Sequence, residues 1–272
     1  MAREKARYHA FVRLLVLSDL HANWPALKAV LADAEKRGFD QVLCLGDALG
    51  YGPQPREVLG SLRELGASCV LGNHDVWALQ LAGEREGVSG PREGGVVARA
   101  LDYQLSQLTP DLLAWVAAWP EVCDADFGGR RLRLRHGSPT SLLAYVDSLG
   151  AAREAFAGWS GQTCLVGHTH VSAAYATLAA PSGEWVKHQP LSSGGRSVKE
   201  HFMLPPGARA ILNPGSVGQP RDGDARASYA LFDAQRGIFE VVRAAYDIAA
   251  TREAVRAAGL PDVLGARLEV GK

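Results

Sequence analysis

Residues 11–47, "FVRLLVLSDLHANWPALKAVLADAEKRGFDQVLCLGD", hold a strand, a helix and a second strand in one line. The run from Phe11 to Leu17 is apolar apart from Arg13 and of strand length, which predicts a buried strand. Asn23 then offers an N-cap, Pro25 fits the first helical turn and Gly38 supplies a stop, so residues 23–38 read as a helix. Residues 40–46, "DQVLCLG", return to an apolar strand. Strand-length apolar runs alternating with helix-period segments argue for an α/β architecture. Each strand here also runs into polar chemistry: Asp19 and His21 follow the first, and Asp47 follows the second.

Working outward, residues 54–66 give a second helix between Pro55 and Gly66, and residues 67–72 a third strand. From Val76 to Trp119 the pattern is helical, broken at residues 87–95 ("GVSGPREGG") and restarted at Thr109, a cap, with Pro110 in the first helical position. Strand signals then dominate. Residues 121–136 read as a hairpin turning about Gly128 and Gly129, followed by runs at 163–167, 171–180, 184–189, 208–213, 227–233 and 237–246. Residues 247–259 close with a helix, and 192–201 ("SSGGRSVKEH") read as a loose linker. There is no internal repeat, heptad or low-complexity tract. The expectation is a single domain over residues 1–272 with two sheets packed together, helices outside them, and the helical segment at about 76–119 bordering the site.

Composition narrows the function. At 272 residues, 47% hydrophobic and 21% charged, the chain is long enough for a well-filled core. Its formal net charge is zero, so attraction for phosphate has to be local, and specific nucleic-acid binding is not expected. Arg131, Arg133 and Arg135 alternate with leucines and read as a solvated strand face. Cys44, Cys69, Cys123 and Cys164 lack CxxC spacing and lie in or near apolar runs, as in a reduced cytoplasmic protein. The basic start and short apolar run at residues 1–19 lack a cleavage site, and no stretch has the length of a membrane span.

The strand ends collect a set of metal-ligand types. "LVGHTHV" at 165–171 places His168 and His170 two apart, and in an extended backbone such residues share a side. Asp19 and His21 have the same spacing; Asp47, Asn73, His74, Asp75 and His136 stand at other strand ends, and the stretch 212–223 ("LNPGSVGQPRDG") supplies a glycine-rich turn followed by Arg221, with Arg226 beyond it. Any one of these alone would suit a turn former, a helix cap or a satisfied histidine. Ligands of α/β sheets bind beyond the carboxyl ends of strands, which draws them into one site. Two carboxylates (Asp19, Asp47), one amide oxygen (Asn73) and four imidazoles (His21, His136, His168, His170) are too many for one tetrahedral ion. They suit two cations sharing an aspartate, a positive trap for an anionic phosphate ester. His74 is left over, and His9, His188 and His201 lie outside every motif.

"DLH" (19–21), "GD" (46–47), "GNHD" (72–75), "HG" (136–137), "GHTH" (167–170) and "NPGSVG" (213–218), in this order, resemble the calcineurin-like metallophosphoesterases, in particular their compact bacterial phosphodiesterase and phosphatase branch. The resemblance implies a four-layer αββα sandwich. It implies that Asp19, His21 and His170 hold one metal, that Asn73, His136 and His168 hold the other, and that Asp47 bridges. It also makes His74 the general acid and leaves Asn73 a possible further contact to substrate. The phosphoprotein phosphatase branch carries "GDxxDRG" where this chain has "GDALGYG": Gly50 stands in place of the acidic residue that orients the catalytic histidine, and Tyr51 in place of the phosphate-clamping arginine. Arg221 and Arg226 are the candidates to replace that clamp.

The activity expected is hydrolysis of small or nucleotide-type phosphate esters, by in-line attack of a hydroxide bridging two divalent transition-metal ions. Manganese leads as the metal, with iron, zinc, nickel and cobalt also suited to imidazole and carboxylate ligands. A dinucleoside polyphosphate hydrolase is the nearest alternative. A protein Ser/Thr phosphatase is disfavoured by the missing "DRG", and a non-catalytic interaction protein of the same fold is disfavoured by the presence of His74. A cytoplasmic location, no membrane partner and an open question of homo-oligomerisation complete the expectations.

Overall fold

The computed structural model describes residues 12–86, 90–177, 185–188, 200–204 and 207–272. The first apolar run is a strand because both of its faces are buried. In β1 (Arg13–Leu17), Leu14 and Val16 face one apolar layer while Leu15 and Leu17 face another, beneath helix α1 (Trp24–Arg37). The Asn23 side chain accepts from Ala26 N–H to start α1, and Gly38, at φ 77°, ends it. β2 (Gln41–Cys44) lies parallel to β1, and after α2 (Pro55–Glu64) the short β3 (Ser68–Cys69) lies parallel to β2.

Three helices follow: α3 (Asn73–Leu81), α4 (Val96–Gln107) and α5 (Pro110–Ala117). Helix α3 begins at Asn73 rather than at Val76, so "GNHD" forms a helical first turn. Thr109 stands at the cap position of α5, but its side chain makes no cap bond. The hairpin of β4 (Val122–Phe127) and β5 (Arg130–Arg135) turns through Gly128 and Gly129 at φ 60° and 82°, the left-handed pair that a two-residue type I′ turn requires. The remaining elements are α6 (Leu149–Ala157), β6 (Thr163–Leu165), β7 (Ala173–Thr177), β8 (Trp185–His188), β9 (Glu200–Met203), β10 (Arg209–Asn213), β11 (Ala227–Asp233), β12 (Ile238–Ala244), α7 (Ile248–Ala257) and α8 (Val263–Ala266).

Two mixed six-stranded sheets result, in the orders β3-β2-β1-β11-β12-β9 and β4-β5-β6-β10-β7-β8. Leu14, Val16 and Phe232 of the first meet Leu132, Leu165 and Leu212 of the second in the layer between them. The outer face of the first sheet packs on α1 and α2, and that of the second on α6 through Tyr175, Ile211 and Phe156. The architecture is a four-layer αββα sandwich. Cys44, Cys69 and Cys164 are buried, Cys123 is half-buried and all are free, while Arg133 pairs with Asp124 at 2.6 Å on the strand face read as solvated.

Helix α6, strand β9 and the short α8 were not expected. Strand β9 includes Glu200 and His201, the end of the stretch read as a linker. Residues 192–199 of that stretch, the last three of the run at 171–180, and His9 lie outside the described residues.

Phe232 is fully buried between the sheets, so Phe232→Ala is expected to cost about 3–5 kcal/mol of stability. Met203, 67% exposed on β9, is expected to lose no more than about 0.5 kcal/mol on the same change. Urea unfolding midpoints check both, and similar losses at the two positions would contradict the layer assignment.

Candidate metal centre

The parallel strands β1, β2 and β3 of one sheet and β5, β6 and β10 of the other send their following loops to one place. The backbone reaches it through strain. Asp19, His21, Asp47, His168 and His170 have φ of 53°, 47°, 54°, 65° and 59°, and among the described non-glycine residues only Ala22 and Tyr51 share this left-handed region. Each such residue costs of order 1–3 kcal/mol, which concentrates strain where side chains must be aimed rather than relaxed. This corrects the expectation for "GHTH": His168 and His170 converge through a left-handed turn beyond β6, not by alternation along an extended strand.

The eight expected residues, Asp19, His21, Asp47, Asn73, His74, His136, His168 and His170, are all buried. Asp19, His21 and His170 bring one ligand atom each within 4.8 Å of one another, as do Asp47, His136 and His168, and also His21, Asp47 and His74. His21 Nε2 and His170 Nε2 stand 3.2 Å apart, His170 Nε2 is 3.2 Å from Asp19 Oδ1, and His136 Nε2 is 3.2 Å from Asp47 Oδ2. Two atoms bound tetrahedrally to one ion at 2.0–2.1 Å stand roughly 3.3–3.4 Å apart, so these separations suit shared cations.

The hydrogen bonds leave the right atoms open. Nδ1 of His21, His136 and His170 donates to the carbonyls of Leu49 (2.8 Å), Leu45 (2.8 Å) and Gln219 (2.6 Å), which leaves each Nε2 facing inward. His168 is reversed: its Nε2 is held by Leu143 O at 3.2 Å, leaving Nδ1 as the free donor atom. Asp47 Oδ1 accepts from His74 N–H at 2.8 Å, and Asp19 Oδ2 accepts from Ser18 Oγ at 2.7 Å and His168 N–H at 3.2 Å. Asp19 Oδ1 and Asn73 Oδ1 are buried with no hydrogen-bond partner. Buried oxygens are rarely left so, and a cation satisfies them.

The electrostatics lead to the same conclusion. Burial works to raise the Asp19 and Asp47 carboxyls, yet the surrounding imidazoles, His170 above all for Asp19 and His136 for Asp47, hold both well below the carboxylate range. Burial lowers His136, but Asp47 and Asp19 together lift it to about 10; the two carboxylates draw one positive charge between them. Burial, with His136 adding to it, drives His168 down to about 4, burial drives His74 down to about 4 against the pull of Asp47, and His21 is also lowered by burial and His170. These three rings are neutral near pH 7 and offer lone pairs.

A cavity of about 430 Å³ opens onto Asp47, Asn73, His74, His168 and His170. Arg221 lines it: its backbone N–H bonds His170 O at 3.2 Å, and its guanidinium bonds Gln219 Oε1 at 3.0 Å and lies 5.9 Å from the centre of the Tyr51 ring. Arg226 does not line it, because its guanidinium is committed to Asp224 at 2.6–3.2 Å. Asp75 acts through the backbone: its carboxylate accepts from the amides of Asp47, Leu49 and Gly72 at 2.8–3.0 Å and ties the Asp47 loop to the start of α3.

The Gly50 departure has a steric reason. A Cβ there would lie 2.3 Å from His74 Nδ1, at φ +91°, so no acidic side chain fits. His74 instead sits among the rings of Tyr51, Trp77 and His21, with centroids 4.6, 4.8 and 4.9 Å away. Sequence reading missed Trp77, Tyr145, Arg92 and Gln104. Tyr145 stacks on His168 at 4.0 Å, Arg92 lines the cavity, and the Gln104 side chain bonds both Gly50 N–H and Gly52 O. Only a fold that brings α4 and the loop after β5 beside the strand ends makes them neighbours.

A family model described as "Calcineurin-like phosphoesterase superfamily domain" matches residues 12–237. A metallophosphoesterase structure from Sphaerobacter thermophilus is 34% identical and covers 97% of this chain and 100% of its own, with a TM-score of 0.80. An uncharacterised protein of Methanocaldococcus jannaschii is 30% identical over 95% of this chain and 98% of its own length. A symmetrical bis(5'-nucleosyl)-tetraphosphatase of Psychromonas ingrahamii is 32% identical over 111 residues, 39% of this chain and 37% of that protein.

Gly50→Ala is expected to lose about 1–3 kcal/mol of stability from strain alone and to displace His74. Gly60→Ala, inside α2 where an added Cβ meets nothing within 4 Å, should gain about 0.4–1 kcal/mol. Thermal unfolding of the pair checks the contrast; a neutral Gly50→Ala would show that the His74 contact is not tight.

Proposed function

The chain belongs to the calcineurin-like phosphoesterase superfamily, and on that premise we propose that it is a phosphoric ester hydrolase working with two divalent transition-metal ions. The observation that carries this reading is the set of inward-facing donor atoms, above all the buried oxygens Asp19 Oδ1 and Asn73 Oδ1 that no hydrogen bond satisfies. Asp19, His21 and His170 would hold one ion and Asn73, His136 and His168 the other, with Asp47 shared between them. When bound, two such ions supply Lewis acidity toward the phosphoryl oxygens and a water acidic enough to attack near neutral pH. Borderline nitrogen and oxygen donors suit manganese first, then iron, zinc, cobalt or nickel.

The protein's own groups do the rest. Asp47 is fixed through Oδ1 by the His74 amide, so Oδ2 stays directed at the centre. Arg221, held by Gln219 and Tyr51, offers its guanidinium to a phosphoryl oxygen at the cavity wall. His74 lines the same cavity and protonates the departing ester oxygen; a phosphate anion beside the ring opposes the effect of burial and favours the protonated form. We assign the whole chain to one such domain. Its free cysteines fit a reducing cytoplasmic setting, and no described helix is long and apolar enough to cross a membrane.

The tetraphosphatase likeness favours a second reading, hydrolysis of a dinucleoside polyphosphate. Among the described residues, Arg92 and Arg221 are the arginines and lysines that line the cavity, which is little positive charge for a chain of several phosphates.

Metal-reconstituted protein is expected to bind two equivalents by elemental analysis. Asp47→Asn should impair both sites, since an amide is a poor bridge, whereas His170→Ala should weaken one. An Asp47→Asn protein that keeps two tightly held ions would contradict the shared aspartate.

His74→Asn should keep the metals and lose roughly 10²- to 10⁴-fold in kcat/KM on alkyl esters but much less on nitrophenyl esters, whose leaving groups need no proton. A loss independent of leaving-group pKa would retire the general-acid role.

A further inference from the structure

Beside the cavity at the candidate metal centre lies a second, of about 470 Å³, that none of the eight residues gathered at that centre lines. The two share Tyr145 and Arg221 as common walls. Tyr145 is held as a partition: its ring lies nearly parallel to that of His168 (16°) with centroids 4.0 Å apart, and the residue is still 49% exposed. The far walls of the second cavity include Val171, Ala173, Tyr175 and Asp147, a mixture of apolar, aromatic and hydrogen-bonding character.

Resting on the phosphoesterase reading above, we propose that this second cavity seats the retained organic group of a phosphodiester, a ring-bearing, hydroxylated group of nucleoside size. Three observations support the assignment. A monoester has one organic substituent and needs one cavity, whereas here two cavities, each within the range of about 300–1,000 Å³ usual for ligand pockets, meet at one guanidinium. A diester carries one negative charge, and Arg221 is the cationic side chain common to both cavities among the described residues. Tyr145 and Tyr175 supply aromatic surface, and Asp147 a carboxylate that accepts from hydroxyl or amino groups.

The polarity of the reaction follows. His74 lines the first cavity and not the second, so the alcohol that leaves occupies the side of His74 and Trp77. Water adds to phosphorus, the bond from phosphorus to that alcohol's oxygen breaks, and the oxygen takes up a proton. The products are the free alcohol and the phosphate monoester of the group in the second cavity.

Methyl p-nitrophenyl phosphate and p-nitrophenyl thymidine 5'-phosphate test this, because they share leaving group and charge and differ only in the retained group. Metal-loaded wild type is expected to favour the thymidine ester in kcat/KM by about tenfold or more, the size of discrimination a filled pocket gives. Ala173→Leu, which adds bulk inside the second cavity, should bring the ratio down to near one. Asp147→Trp, at an exposed position on its rim, is the second block should Ala173→Leu not fold. A wild-type ratio near one, or a ratio that neither variant moves, overturns the assignment. Should neither diester be hydrolysed while p-nitrophenyl phosphate is, the diester assignment is overturned; should p-nitrophenyl phosphate also survive, the phosphoesterase reading fails, and thymidine 5'-monophosphate titrated by saturation-transfer NMR still decides the cavity. Binding that the variants weaken supports it, and no binding, or binding the variants leave alone, overturns it.

Discussion

Two carboxylates, Asp19 and Asp47, are buried so close together that one imidazole nitrogen, His136 Nε2, lies within 3.8 Å of the first and 3.2 Å of the second. Burying like charges side by side is costly unless positive charge is placed between them. The surroundings are arranged around that demand. One oxygen of each carboxylate is satisfied by a nearby hydroxyl or amide, and the other is left for the centre. Three imidazoles are turned inward by carbonyls that hold their outer nitrogens. A cation centre is the arrangement in which these features satisfy one another.

Such a centre would set what the loops must do. Strands β1, β2, β3, β5 and β6 stop just short of the site, and left-handed backbone at Asp19, His21, Asp47, His168 and His170 turns the chain there. Glycines allow the close approach: a Cβ on Gly72 would lie 2.1 Å from Asp47 Oδ1, and one on Gly167 would lie 1.9 Å from Ser18 Oγ. Asp75 then staples the Asp47 loop to the start of α3, and Gln104 ties α4 to the backbone at Gly50 and Gly52. The apolar layers contribute rigidity, since strained loops persist only on a scaffold that over-determines them.

Much of this was legible in the residues. The double-sided burial of β1 follows from an unbroken apolar run, and the hairpin about Gly128 and Gly129 from its turn chemistry. The candidate ligand set was legible because each member follows a strand-like run in a recurring short motif. What escaped depends on tertiary placement. Helix α6, capped by Ser148, is a nine-residue helix whose apolar residues are mostly alanines, and β9 is a four-residue edge strand that exists by pairing with β12. Arg221 and Arg226 look alike in sequence, but Asp224 takes Arg226 while Tyr51 and Gln219 hold Arg221 at the cavity. Tyr145 carries no motif at all, and only its stacking on His168 marks it.

The most direct measurement is anomalous X-ray diffraction at the manganese edge from crystals of manganese-loaded protein. Two peaks are expected, one among Asp19, His21 and His170 and one among Asn73, His136 and His168, with Asp47 in contact with both. A single peak, or none beside Asp47 at saturating manganese, would contradict the two-cation centre.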